Sequence, residues 1–124
     1  MNAQTSILII EDDLDIRESL VEALESGEGY SVRTAGNGKE GIEFLKSCTV
    51  LPHLILLDLM MPVMDGYQFR AEQKQSTVFG AIPVVIMSAD GKAQQKLDQS
   101  DCRAFLRKPL DLDELLAMIK KLTC

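Results

Sequence analysis

The chain has no tryptophan, one histidine, three cysteines and only 5% aromatic residues. These scarcities narrow the possible functions. Cys48, Cys102 and Cys124 are widely spaced and odd in number, and they form no C-x-x-C pair. They read as buried or surface thiols in a reducing compartment. His53 follows Pro52 with no acid or thiol beside it, which suits a surface position at a strand entry. No apolar run approaches the roughly 20 residues that cross a membrane. The opening Met1-Asn2-Ala3-Gln4-Thr5 lacks the charged and apolar regions of a signal peptide, so a cytoplasmic location is expected. Net charge is −6 with no Lys/Arg stripe, which argues against direct nucleic-acid binding.

What remains has the composition of a soluble globular protein. At 124 residues, with 46% apolar and 26% charged residues, the chain is expected to be one domain over 1–124 with a proper core. Its densest apolar runs end in acid. Leu54-Ile55-Leu56-Leu57 runs into Asp58, and Ile7-Leu8-Ile9-Ile10 runs into Glu11-Asp12-Asp13. Such runs read as strands buried on both faces, as in a parallel sheet covered by helices. Ligands bind at the carboxyl ends of such strands. A single acid there is most often a helix cap, but two strands ending this way suggest a shared crevice.

Strand and helix patterns alternate from end to end. Ser6–Ile10 is a strand, and Ile16, Leu20, Val21 and Leu24 then recur at helical spacing up to Gly27 and Gly29. Ser31–Ala35 is a short strand, and Gly36-Asn37-Gly38 opens a helix carrying Ile42, Phe44 and Leu45. After the strand at Leu54–Leu57, a helix begins near Gly66, with Phe69 its main apolar contact and Gln73 polar where a core residue is expected. Ile82–Met87 is the fourth strand, Gly91 to Ser100 a weak helix, and Ala104–Leu106 a brief fifth strand. Leu112, Leu115, Leu116, Ile119 and Leu122 form the stripe of the last helix, with Asp111 or Asp113 in its cap region.

Five βα units in this length imply an α/β, doubly wound, flavodoxin-like fold: a five-stranded parallel sheet in the order 2-1-3-4-5 with helices on both faces. That order brings Glu11, Asp12 and Asp13 opposite Asp58. Crowded carboxylates call for a cation, and an all-oxygen set suits Mg²⁺. Asp13 serves equally well as a helix-capping acid. The fourth strand ends at Ser88 and the fifth at Lys108, adding a hydroxyl and an ammonium. Together these groups suit a phosphoryl dianion with a carboxylate as nucleophile.

The pieces Ile7–Asp13, Leu54–Pro62 with Asp65-Gly66, Ser88-Ala89 and Phe105–Pro109 occur in order, with thirty residues from Asp58 to Ser88 and twenty from Ser88 to Lys108. In this the chain resembles a response-regulator receiver domain of two-component signalling, of the single-domain chemotaxis type. The resemblance covers essentially all of its length. It implies Asp58 as phosphoacceptor, with Asp12, Asp58 and the Met60 carbonyl binding Mg²⁺ directly and Glu11 acting through water. Lys108 would contact a phosphoryl oxygen, with a cis bond to Pro109. Ser88 and Phe105 would form the switch. The implied protein is a phosphoacceptor rather than an enzyme acting on external substrates. Its partners would be a histidine kinase or histidine phosphotransfer protein and a downstream protein target.

Three features depart from the family: Asp101-Cys102 before the switch aromatic, a stretch between Ser88 and Lys108 about two residues short, and Gln73. They bear on the usual dimerisation face, so a monomer is expected. Only Thr123-Cys124 follow the last helix, which suits a receiver that stands alone or one excised from a longer protein. Two rival readings are an interaction module that is never phosphorylated and an aspartate-nucleophile phosphohydrolase. The intact acid, hydroxyl and lysine set argues against the first. Against the second, Met60 stands where a phosphohydrolase carries its acid/base Asp.

Overall fold

The computed structural model describes residues 4–90, 92–93 and 102–123. Five parallel strands form one sheet in the order β2-β1-β3-β4-β5. They are β1 (Ser6–Ile10), β2 (Ser31–Ala35), β3 (Leu54–Asp58), β4 (Val84–Ser88) and β5 (Ala104–Arg107). The helices with both ends among the described residues are α1 (Leu14–Glu28), α2 (Gly38–Ser47), α3 (Gly66–Lys74) and α4 (Leu112–Thr123). The expected strand order and the doubly wound fold are therefore present. The weak helix expected from Gly91 to Ser100 lies outside the described residues apart from Lys92 and Ala93, as does Asp101.

Strand alternation divides the core in two. Leu8, Ile10, Ile55, Leu57, Val84 and Ile86 pack with Ile42, Leu45 and Phe69 under α2 and α3. Ile7, Ile9, Leu54, Leu56, Val85 and Met87 pack with Leu20, Leu24, Leu115 and Ile119 under α1 and α4. All five residues of β3 are buried, as its unbroken apolar run requires. Leu112, expected in the α4 stripe, is instead 45% exposed and lines an open groove beside Ile16 and Leu20 of α1.

The strand ends differ slightly from the sequence expectation. β4 begins at Val84 rather than Ile82, since Pro83 has no N–H to donate, although its carbonyl still accepts from Ile55 N at 3.0 Å. β5 runs on to Arg107 because Ser88 O accepts from Lys108 N at 2.9 Å.

Local signals set the helix boundaries. Asp13, Asn37 and Asp65 cap α1, α2 and α3 through their side chains. At α3 the cap is reciprocal: the Gln68 side chain returns to Asp65 N at 3.0 Å. Asp111 accepts from Glu114 N at 3.1 Å at the start of α4. α1 closes on Gly29, left-handed at φ 72°. His53 is exposed at the entry to β3, and its Nδ1 accepts from Ser6 N at 3.0 Å.

Gln73 is fully buried in α3. Its amide donates to the carbonyls of Phe79 and Ile82 at 3.0 and 3.2 Å, and its Oε1 accepts from Arg70 at 3.2 Å. It ties down the turn between α3 and β4, which explains a polar side chain at a core position.

Candidate functional site at the carboxyl ends of the strands

Asp58 ends β3, and Glu11 and Lys108 directly follow β1 and β5 in the same alternation phase, so the three turn to one side of the sheet. There they meet. Lys108 Nζ donates to Glu11 Oε1 at 2.6 Å and lies 3.4 Å from Asp58 Oδ1. Glu11 is fully buried and Asp58 is 4% exposed. Asp12, on the loop beyond β1, is exposed. Among the described residues, carboxylate oxygens of Glu11, Asp12 and Asp58 lie within 4.8 Å of one another, a geometry that could hold a metal ion. Asp13 is not part of this group. Its carboxylate accepts from Ile16 N at 3.1 Å as the α1 cap, the helix-capping role its sequence position allows.

The backbone around the crevice is firmly held. Glu11 Oε2 accepts from Asp13 N at 3.2 Å, and Glu11 O accepts from the Arg17 guanidinium at 3.2 Å. Gly66 N donates to Leu59 O at 2.9 Å, bringing the start of α3 against the end of β3. A Cβ at Gly66 would meet the Asp58 carbonyl oxygen at 2.6 Å, so only glycine fits this approach. Between them, Val63 is left-handed at φ 70°, and Met64 N bonds back to Pro62 O at 2.8 Å, forming a strained γ-turn. Met60, two residues beyond Asp58, is 69% exposed at the mouth, and its N–H reaches Asp58 Oδ1 at 3.4 Å.

Ser88 and Phe105 belong to the other side of the sheet. Ser88 continues the set of Val84 and Ile86, and Phe105 pairs with Ile86 and packs half-buried against the α2–α3 core. Ser88 is 1% exposed, and its Oγ accepts from Asp90 N at 3.0 Å. The Lys108–Pro109 peptide bond is cis.

The electrostatics follow from burial without enough compensation. Burial, then the charge of Glu11, push the Asp58 carboxyl up to about 7 from 3.8, against the opposing pull of Lys108. Burial alone would lower Lys108, but its hydrogen bond to Glu11 and the charges of Asp58 and Glu11 prevail and hold it above 10.5. The like-charge repulsion expected among the acids is thus relieved in part by the chain's own ammonium. Sequence reasoning placed Lys108 toward a phosphoryl group and missed its 2.6 Å contact with Glu11. The only available signal was the shared alternation phase of the two strands. The roles of Gly66, Arg17 and Val63 were likewise missed.

The family model for the response regulator receiver domain matches residues 7–120. The chain belongs to this family. It is therefore similar to the receiver domains of signalling proteins in two-component systems. The response regulator Rre1 of Synechocystis is 37% identical over 119 residues, which cover 94% of this chain and 51% of that protein. The sensor histidine kinase TmoS of Ectopseudomonas mendocina is 33% identical over 121 residues, covering 96% of this chain but 12% of the kinase. The response regulator TrrA of Thermotoga maritima, solved in complex with Mg²⁺-BeF, superposes with a TM-score of 0.84 at 28% identity, covering 96% of this chain and 99% of that one. The chain thus spans about half the length of Rre1 and a smaller share of the kinase. No helix among the described residues is long and apolar enough to cross a membrane.

Proposed function

We propose that Asp58 accepts a phosphoryl group from a histidine kinase or histidine phosphotransfer protein, and that the resulting charge change switches a protein-binding face. The observation that carries this reading is a buried carboxylate with two other acids within 4.8 Å and a lysine ammonium 3.4 Å away. An Asp58 oxygen forms the new P–O bond as the donor's P–N bond breaks, its electron pair leaving with the imidazole. Asp58 must be ionised to attack, yet burial and Glu11 favour its protonated form. The oxygen-only donor set fits Mg²⁺. Asp12, Asp58 and the Met60 carbonyl would hold the ion directly and Glu11 through water. Bound there, the ion supplies the positive charge that favours the Asp58 carboxylate and offsets that of the phosphoryl group.

Lys108, 3.4 Å from Asp58, would pair with a phosphoryl oxygen. The Ser88 hydroxyl, an acceptor from Asp90 N, keeps its proton available to donate to the same group. Phe105 shares its side of the sheet and is only half-buried, so movement of Ser88 has an aromatic neighbour to displace inward. A groove of about 400 Å³ between α1 and α4, lined by Ile16, Leu20, Lys108 and Leu112, opens beside the site and offers the donor protein a resting place.

Incubation with acetyl phosphate and Mg²⁺ tests the assignment by intact mass. One phosphoryl increment is expected on the parent and none on Asp58→Asn. Equal labelling of the variant would overturn it.

A further inference from the structure

The other end of the sheet carries a second cavity, about 390 Å³ in volume, which the phosphoacceptor reading does not use. The β1–β2 register pairs Ser6 with Ser31 and Leu8 with Arg33, so Ser31 and Arg33 lie on the side that α2 covers. That cover stops at Ser47, and the chain departs through Cys48, Thr49 and Val50. One corner of the sheet face is therefore left open at the amino ends of β1 and β2. Phe44, Val50 and Pro52 make its apolar wall, and Val50 is 71% exposed at the lip. Arg33 is exposed on the edge strand, and among the described residues nothing pairs with its guanidinium. The volume falls within the roughly 300–1,000 Å³ of small-molecule sites, which combine apolar walls with a few polar groups.

We propose that this cavity binds a small amphipathic carboxylate, with its apolar body against Phe44, Val50 and Pro52 and its carboxylate on Arg33. A planar guanidinium recognises a carboxylate through paired hydrogen bonds, and the hydroxyls of Ser31 and Thr49 line the same space as further donors. The carbonyl end of α2 faces this corner and disfavours an anion, but Lys46 in its last turn offsets that dipole. The walls are rigid where the ligand would rest: Ser31 N donates to Thr5 O at 2.8 Å, and His53 N to Ser6 O at 2.8 Å. Five strand residues separate this corner from the acidic crevice, about 17 Å along β1, so the two sites do not overlap.

An amide chemical-shift titration with phenylbutyrate, using neutral phenylbutanol as the matched control, tests the proposal on the full chain. Saturating shifts are expected in residues 31–33 and 44–50. Arg33→Gln and the alcohol should each weaken binding by about tenfold, as loss of one charge-assisted contact implies. Saturating phenylbutyrate should also slow alkylation of Cys48, which lines the cavity, while leaving Cys102 unchanged. Shifts that do not saturate, an Arg33→Gln variant that binds like the parent, or shifts confined to the groove between α1 and α4 would each overturn it.

Discussion

Gln73 and Asp58 are both polar, both buried and both set at the end of a regular element, yet their surroundings differ in kind. Gln73 uses its whole amide: two backbone carbonyls accept from its nitrogen and Arg70 donates to its oxygen, all within 3.2 Å. Asp58 has a backbone N–H and an ammonium, both at 3.4 Å, and an acid neighbour that raises the cost of its charge. A satisfied neutral amide adds to the fold. A charge held with incomplete compensation is a cost the rest of the core must carry, and it is the arrangement a reactive carboxylate needs. Mutations at these two positions should therefore move stability in opposite directions.

The largest effect is expected from pH. The Asp58 carboxyl stands at about 7 in the fold against an ordinary 3.8, so the native state holds this proton more tightly than the unfolded chain. Its contribution favours folding below the lower value and is lost as pH rises toward the upper. Without divalent ions, the parent should lose up to about 4 kcal/mol relative to Asp58→Asn across that window. Denaturant melts of both proteins at several pH values, with chelator present, measure this. Parallel profiles would show that the buried carboxylate is compensated after all.

Gln73→Leu should go the other way and destabilise by about 2 kcal/mol, because the Ile82 carbonyl loses its amide donor and Arg70 loses an acceptor. A leucine variant as stable as the parent in urea would make Gln73 a tolerated accident. A smaller gain, about 1 kcal/mol, is expected for Val63→Gly, since glycine adopts φ 70° without the clash of a β-branched side chain. An unchanged or lowered melting temperature would mean that the γ-turn is not strained at this position. Asp12→Ala should be the mildest, within about 0.5 kcal/mol of the parent without metal, because Asp12 is exposed. The same variant should lose tight Mg²⁺ binding by calorimetry. A markedly less stable metal-free variant would make Asp12 a structural residue instead.

Much of this was legible in the residues. The apolar runs at Ile7–Ile10 and Leu54–Leu57 demanded strands buried on both sides, and the helical repeat of Leu20 and Leu24 placed α1 against them. Right-handed crossovers then left few ways to order five strands, and the observed order is among them. The acids at Glu11, Asp12 and Asp58 were legible for the same reason, since a strand's end is readable wherever its apolar run stops. The α3 sequence was weaker evidence. It carries Phe69 and little else apolar, and Gln73 looked out of place because its partners lie beyond the helix, at Phe79 and Ile82.

By itself the sequence determined the periods: which segments extend, which coil, and which strand ends carry carboxylate, hydroxyl or amine. Those properties depend on neighbours along the chain, through side-chain alternation and local capping. Only the tertiary structure decided which of those groups touch. It put the Lys108 ammonium on Glu11 across ninety-seven residues, closed Gly66 onto the carbonyl of Asp58, and left Arg33 without a partner among the described residues at the opposite corner. Contacts of this kind depend on strand order, register and the point where a covering helix stops, and burial then sets the charge balance of what they enclose.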